Sequence, residues 1–269
     1  MKKQSKDLIL DLTKKAQLGL IIGAALGAST GAYANWEGLS NVGVGTADLA
    51  VDAGNATITN VTVDQARYVG NLTSMSNTVG ETTNVTFAVG GGKALFRSLD
   101  GGSPSSIYGT LSSNGALFLM NPNGILIGGT GSVVTLGGFT ATTMEVDKDE
   151  FAQDKYNFTY ATGGFGDRGN IINNGTITAT DIAFMGSNKV QNNGTMNANN
   201  VAMTSSKNAT LVFDSRGLVT ADISGEVLDK AVEASNLGNI KANGGRVTLA
   251  ASGINAAVNV DGVIEAGTL

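Results

Sequence analysis

The chain has no cysteine and no histidine, and only two prolines in 269 residues. Without cysteine there is no disulfide framework, no thiol nucleophile and no Cys/His metal site. Without histidine the commonest general base and the usual zinc ligand are also missing. Charge is scarce as well: 14% of residues are charged, against a usual ~25%. The net charge is −5; the first 34 residues carry five lysines and two aspartates, so the remainder stands at −8. A sparse, acidic surface argues against nucleic acid as a partner. Long apolar runs are absent too. The stretch Leu18 to Ala28 is shorter than the ~20 residues that span a bilayer. It follows the basic Lys2, Lys3, Lys6, Lys14 and Lys15 and precedes a small-x-small site, Ala32-Tyr33-Ala34. Residues 1–34 are therefore predicted to be a secretory signal peptide, read by the Sec translocon, and the mature chain to begin at Asn35.

What is abundant is glycine, 38 residues, together with Asn, Thr and Ser, a mixture that supplies turns and short strands. A pentapeptide, Gly-x-[Ile/Met/Val]-x-Ala, recurs in the last third. Its copies start at Gly175, Gly194, Gly217, Gly238 and Gly262 and centre on Ile177, Met196, Val219, Ile240 and Ile264. A turn residue followed by alternating apolar and small positions, repeated at intervals near twenty, predicts a solenoid of short strands. Second strands follow at Ile182–Met185, Val201–Met203, Ala209–Phe213 and Val247–Leu249. Stacking would pair each strand with the one a period later and place the five central residues in the core. Asn173 and Asn192, each two residues before a repeat glycine, would stack at a corner. At ~22 residues per turn the mature chain makes about ten turns, a rod of roughly 50 Å. Trp36, the lone tryptophan, opens a segment expected to cap the first open edge. No cap is visible at Leu269, where the chain stops as though within a longer rod.

The stretch Glu145 to Lys155 is charged and suits a short helix or an excursion outside the rod. Asn121-Pro122-Asn123-Gly124-Ile125 lies between two apolar strands. Pro122 suits position i+1 of a type I turn, Asn123 i+2 and Gly124 i+3, with the Asn121 side chain capping the turn. The surrounding stretch Pro104 to Gly128, Gly138 to Val146 and Leu237 to Gly245 resemble the hallmark regions of the two-partner secretion domain of filamentous haemagglutinin-like and high-molecular-weight-adhesin-like exoproteins. The resemblance covers Val85 to Leu269, and Asn35 to Thr83 more loosely. An Asn-Pro-Asn-Leu stretch and the cysteine pair of some cytolysins are absent, which favours the adhesin branch.

The resemblance implies an all-β, right-handed parallel β-helix with an N-terminal cap and small extra-helical elements. It implies a non-enzymatic export domain that addresses an outer-membrane transporter, a barrel with periplasmic polypeptide-binding domains. Asn121 to Ile125 would then serve in transporter recognition or in structure. The expected layout is cap and first turns over 35–84, hallmark region over 85–144, excursion over 145–170 and repeat turns over 171–269, at the N-terminal end of a longer exoprotein. That protein would be secreted or held at the cell surface, its downstream rod meeting receptors or glycans. Two other classes fit a β-helix. A polysaccharide-cleaving enzyme would need clustered acids, but Asp181, Asp214 and Asp222 do not recur at one position of the repeat and read as turn residues. An autotransporter passenger would need a membrane barrel of its own, which this sequence does not contain. No cofactor or metal is expected. Eight Asn-x-Thr sequons, at Asn55, Asn60, Asn71, Asn84, Asn157, Asn174, Asn193 and Asn208, read mostly as corner-building. Gly163 to Asp167 reads as a loop.

Overall fold

Strands alternate with Gly- and Asn-rich corners so regularly that the chain winds into three stacked parallel faces. The computed structural model describes residues 36–98, 102–160, 169–213 and 219–268. The predicted signal peptide and Asn35, the Gly163 to Asp167 loop and Asp214 lie outside these. The first face stacks Ile58–Val63, Thr82–Phe87, Thr110–Ser113, Ser132–Thr135, Thr176–Thr178, Thr195–Ala198, the start of Asn239–Ala251, and Val263–Thr268. The second stacks Arg67–Asn71, Lys93–Arg97, Ala116–Met120, Phe139–Thr142, Asp181–Gly186, Asn200–Ser205 and the end of Asn239–Ala251. The third runs from Ser105–Ile107 through Ile125–Ile127, Ile171–Asn173, Lys189–Asn192 and Glu233–Asn236 to Ala257–Val260. The fold is the predicted all-β parallel β-helix, with the right-handed winding that parallel crossovers take.

Alternate residues point inward and form one long core, from Trp36 and Phe96 through Leu111, Leu117 and Phe139 to Met196 and Ile240. Ile177 pairs with Met196, Met196 with Ile240 and Ile240 with Ile264. The first three are fully buried, and Ile264, on the last described strand, is partly buried against the same core. The repeat glycine has a steric cause. A Cβ on Gly175, Gly194, Gly238 or Gly262 would collide with the carbonyl oxygen of the glycine one turn below.

Val219 is a correction. It does not join the stack but pairs antiparallel with Phe213 in a hairpin outside the rod, and Ala209–Phe213 leaves the rod with it. Any strand with the right alternation satisfies the pentapeptide. The intervals of 23 and 21 residues around Gly217 add up to one turn, Gly194 to Gly238, that carries a long insert rather than to two turns. The repeat region is therefore interrupted. This insert, a second one after Phe139–Thr142 and the antiparallel N-terminal strands take residues out of the rod, so the described residues complete seven turns and begin an eighth, not about ten.

Two inserts, one after Phe139–Thr142 and one after Asn200–Ser205, meet in a four-stranded antiparallel sheet. Its order is Glu145–Val146, Tyr156–Thr159, Asn208–Phe213, Val219–Ile223. The charged stretch forms a short helix, Lys148–Ala152, whose N-cap Asp147 accepts from the amides of Asp149 and Glu150. The sheet and helix lie on the outside of the second face and bury a separate cluster that includes Leu95, Phe118, Met120, Phe151, Phe158, Met185 and Leu211. That face is therefore covered on both sides, which is why Asp181–Gly186 and Asn200–Ser205 are buried throughout. At the N-terminal end three antiparallel strands, Trp36–Glu37, Ser40–Val44 and Ala47–Val51, pair with Ser74–Met75, Arg67–Asn71 and Ile58–Val63.

Candidate functional site

The Asn121 to Ile125 corner joins the second face to the third in the third turn of the rod. The Gly124 amide donates to the Asn121 carbonyl at 3.0 Å, and the Asn123 amide to Asn121 Oδ1 at 2.9 Å. The expected turn and its side-chain cap are both present. Asn121 also reaches down the rod: its Nδ2 donates to the Ser103 carbonyl (3.0 Å) and to Ser105 Oγ (2.9 Å), both one turn below. Its own amide donates up to the Thr142 carbonyl. Pro122 and Ile125 hold the turn above, where the Gly169 amide donates to the Pro122 carbonyl and the Ile125 amide to the Asn170 carbonyl, while the Gly124 carbonyl accepts from the Ser105 amide of the turn below. Gly124 sits at φ +121°, and a Cβ there would lie 2.9 Å from the Asn170 carbonyl oxygen. Asn121, Pro122, Gly124 and Ile125 are buried, whereas Asn123 is half-buried and its side-chain amide has no partner among the described residues. The motif thus brings its residues together as a bolt through three turns, with Asn123 at its accessible end.

A second polar centre had no signal in the sequence. Asp154, at φ +60°, reaches back from the first insert to the first two turns of the rod. It accepts from Arg67 Nε (3.0 Å) and Nη2 (2.7 Å), from Lys93 Nζ (3.0 Å) and from the Tyr156 hydroxyl. Lys93 lies 5.0 Å from the Tyr156 ring centroid. Burial raises the Asp154 pKa, but the bonds from Arg67, Tyr156 and Lys93 together outweigh it and hold the carboxyl well below the ordinary range. Burial, followed by the Asp154 bond and charge, drives the Tyr156 phenol up. The Tyr68 phenol, buried inside the rod, is pushed up to about 12.

The asparagine ladder extends further than the sequence indicated. Asn173 Nδ2 donates to Asn192 Oδ1 at 2.8 Å, and Asn192 Nδ2 to Asn236 Oδ1 at 2.7 Å, all three fully buried. Several sequon amides are spent in such contacts. Asn84 bonds Asn60, Asn193 bonds Asn174 and Asn157 bonds Glu150. Of the acids weighed for catalysis, Asp181 is buried at the start of a rod strand and Asp222 is exposed in the outer hairpin. Both lie in strands rather than turns, and they do not share a position. Among the described residues no group of three or more Asp, Glu, His or Cys side chains is placed to hold a metal, and no helix is long and apolar enough to cross a membrane.

Comparison with known proteins bears on this arrangement. The family described as TPS secretion domain matches residues 40–269. A protein named heme/hemopexin-binding protein from Haemophilus influenzae (strain ATCC 51907 / DSM 11121 / KW20 / Rd) is 30% identical over 225 residues, covering 80% of this chain and 24% of that protein. A second protein of the same name, also from Haemophilus influenzae, is 29% identical over 103 residues, 38% of this chain and 11% of that one. This chain therefore spans less than a quarter of the curated relatives it matches. Among solved structures, the HMW1 secretion domain from Haemophilus influenzae superposes with a TM-score of 0.68 at 23% identity, over 87% of this chain and 65% of that one. This last likeness concerns the fold.

Proposed function

The chain belongs to the TPS secretion domain family, and from that premise we propose that it carries an adhesin-type exoprotein across the outer membrane and starts that protein's β-helix. The family is one of secretion domains, not of enzymes. In this reading residues 1–34 engage the Sec translocon. The mature chain crosses the periplasm unfolded, meets an outer-membrane barrel through the barrel's periplasmic polypeptide-binding domains, and folds at the cell surface. Capture of host or neighbouring-cell receptors or glycans belongs to downstream parts of the exoprotein. Any ligand of the kind named for the Haemophilus relatives is likewise assigned to those downstream parts, since this chain spans less than a quarter of their length.

The observation that carries the proposal is the internal use of Asn121. Its amide, carbonyl and side chain all bond within the rod and tie the second, third and fourth turns together. The hallmark pattern therefore acts in export by building the segment on which later turns stack, and Asn123 is left as the group able to touch a transporter. The experiment is to produce the chain behind its own signal, with and without its cognate transporter. Recovery in the medium or on the surface should require the transporter. Equal recovery without it would refute the two-partner route.

A further inference from the structure

On the outward side of the second face, Arg67 pairs with Lys93, Lys93 with Ala116 and Asp181 with Asn200, and extending the Leu117–Phe139 and Phe139–Ile182 pairs by one residue puts Gly138 between Ala116 and Asp181 in the same column. Its side chains shrink to a methyl and then to nothing between two charged residues. With ~4.8 Å between strands, Lys93 and Asp181 stand about 14 Å apart along the rod. The gap is a groove of about 350 Å³, within the range of ligand-binding clefts. Ala116, Gly138 and Ala183 floor it, while Phe118 and the partly exposed Phe213 of the second insert wall it. A Cβ on Gly138 would meet nothing closer than the Asp181 carbonyl oxygen at 3.6 Å, so packing does not demand the glycine.

The polar end of the groove is unbalanced. Asp181 is 9% exposed. Its Oδ1 accepts from Asn200 Nδ2 at 2.7 Å, and its Oδ2 has no partner among the described residues. At the other end the Lys93 ammonium is already taken by Asp154 and Tyr156. The unmet charge in the groove is therefore negative, beside apolar and aromatic walls. Burial pushes the Asp181 carboxyl above its ordinary value, with the Asn200 bond acting the other way, and a bound cation would relieve that penalty.

We infer that this groove binds the ammonium or guanidinium of a Lys or Arg side chain carried on an extended polypeptide. The apolar floor and the two phenyl rings cover the methylene stem, and Asp181 Oδ2 accepts a hydrogen bond from the charged head. The groove crosses successive turns, so it admits a chain lying along the rod rather than a compact solute. The inference does not depend on the secretion reading, because it concerns the folded chain alone.

The test titrates the purified folded chain with a capped Val-Lys-Val tripeptide, following the amide resonances of Ala116, Gly138 and Ala183 by NMR. The Lys peptide should shift them. A Val-norleucine-Val peptide, and the Lys peptide on Asp181→Asn, should each bind about tenfold or more weakly, the worth of one charge-assisted hydrogen bond. Asp181→Asn keeps an oxygen for Asn200, so it should fold, and Gly138→Leu should block the groove without touching Asp181. Absence of the shifts, or unchanged affinity on Asp181→Asn, would overturn the site. n-Butylamine binding as tightly as the tripeptide would overturn its assignment to a polypeptide.

Discussion

At the scale of the residue, Asn121 and Asn123 differ in what they are attached to. Asn121→Ala removes two donor bonds and the turn cap and strands the buried Ser105 hydroxyl. It should cost about 2–4 kcal/mol, read as a lower denaturant midpoint. Asn123→Ala should stay within about 0.5 kcal/mol of the parent. An export defect in Asn123→Ala at unchanged stability would mark transporter contact, and normal export would leave the motif a corner. Asp154 gives a pH signature. Its pKa is depressed in the folded state, so its stabilisation is present above the unfolded value of about 3.9 and is lost as pH falls through the folded value. The side chain is nearly half exposed, so solvent screening limits Asp154→Asn to about 1 kcal/mol at pH 7. Acid titrations of stability for the two proteins should begin to approach one another only below about pH 4 and meet as pH falls through the depressed folded-state value, and parallel curves would reject the assignment. The turn cap of Asn121 was legible in the sequence because it is local. Its bonds to Ser103 and Ser105, and the whole Asp154 centre, were not, because Arg67 and Asp154 are 87 residues apart and only the winding of the rod brings them together.

At the scale of the element, the rod strands could be read from alternation, the repeat glycines and the asparagines preceding them. The outer sheet could not. Its strands alternate just as the rod strands do, and antiparallel pairing between two inserts leaves no period. Val219 was misplaced for this reason, and no residue type near it marks an exit from the rod. Asn236 stands two residues before Gly238, as Asn173 and Asn192 stand before Gly175 and Gly194, so the same spacing marks the third rung of the ladder. The sheet's anchor is Phe151, fully buried, with its ring edge-on to Phe118 at 5.0 Å and to Tyr156 at 5.7 Å. Phe151→Ala should cost about 3–5 kcal/mol locally. Hydrogen exchange should then quicken over 145–160 and 208–213 while the inner core stays protected. Uniform loss of protection would show rod and sheet to be one cooperative unit.

At the scale of the whole molecule, two cores share the second face as a common wall. The inner one grows turn by turn. The outer one closes only when Asn208–Phe213 has arrived to pair with Tyr156–Thr159, by which time five turns are complete and the sixth has two of its three strands. Emergence of the chain from its N-terminus would thus build the rod first and clasp it afterwards, a folding order set by sequence separation. The three antiparallel strands at the N-terminal end carry a further consequence. In-register parallel strands with buried asparagine ladders are also the construction of amyloid, which grows because each end templates the next strand. Here the first and second faces, which form the long continuous sheet, begin with a strand of reversed direction, and the one on the second face is bent by a register shift between Asn41 and Val44. A second copy arriving there finds no parallel template. Removing residues 36–51 should convert a soluble chain into one that forms thioflavin-binding fibrils, seen as sedimenting material with a lag phase. A truncated chain that remains soluble would assign that protection elsewhere. What closes a core within one molecule also makes it a poor seed for any other.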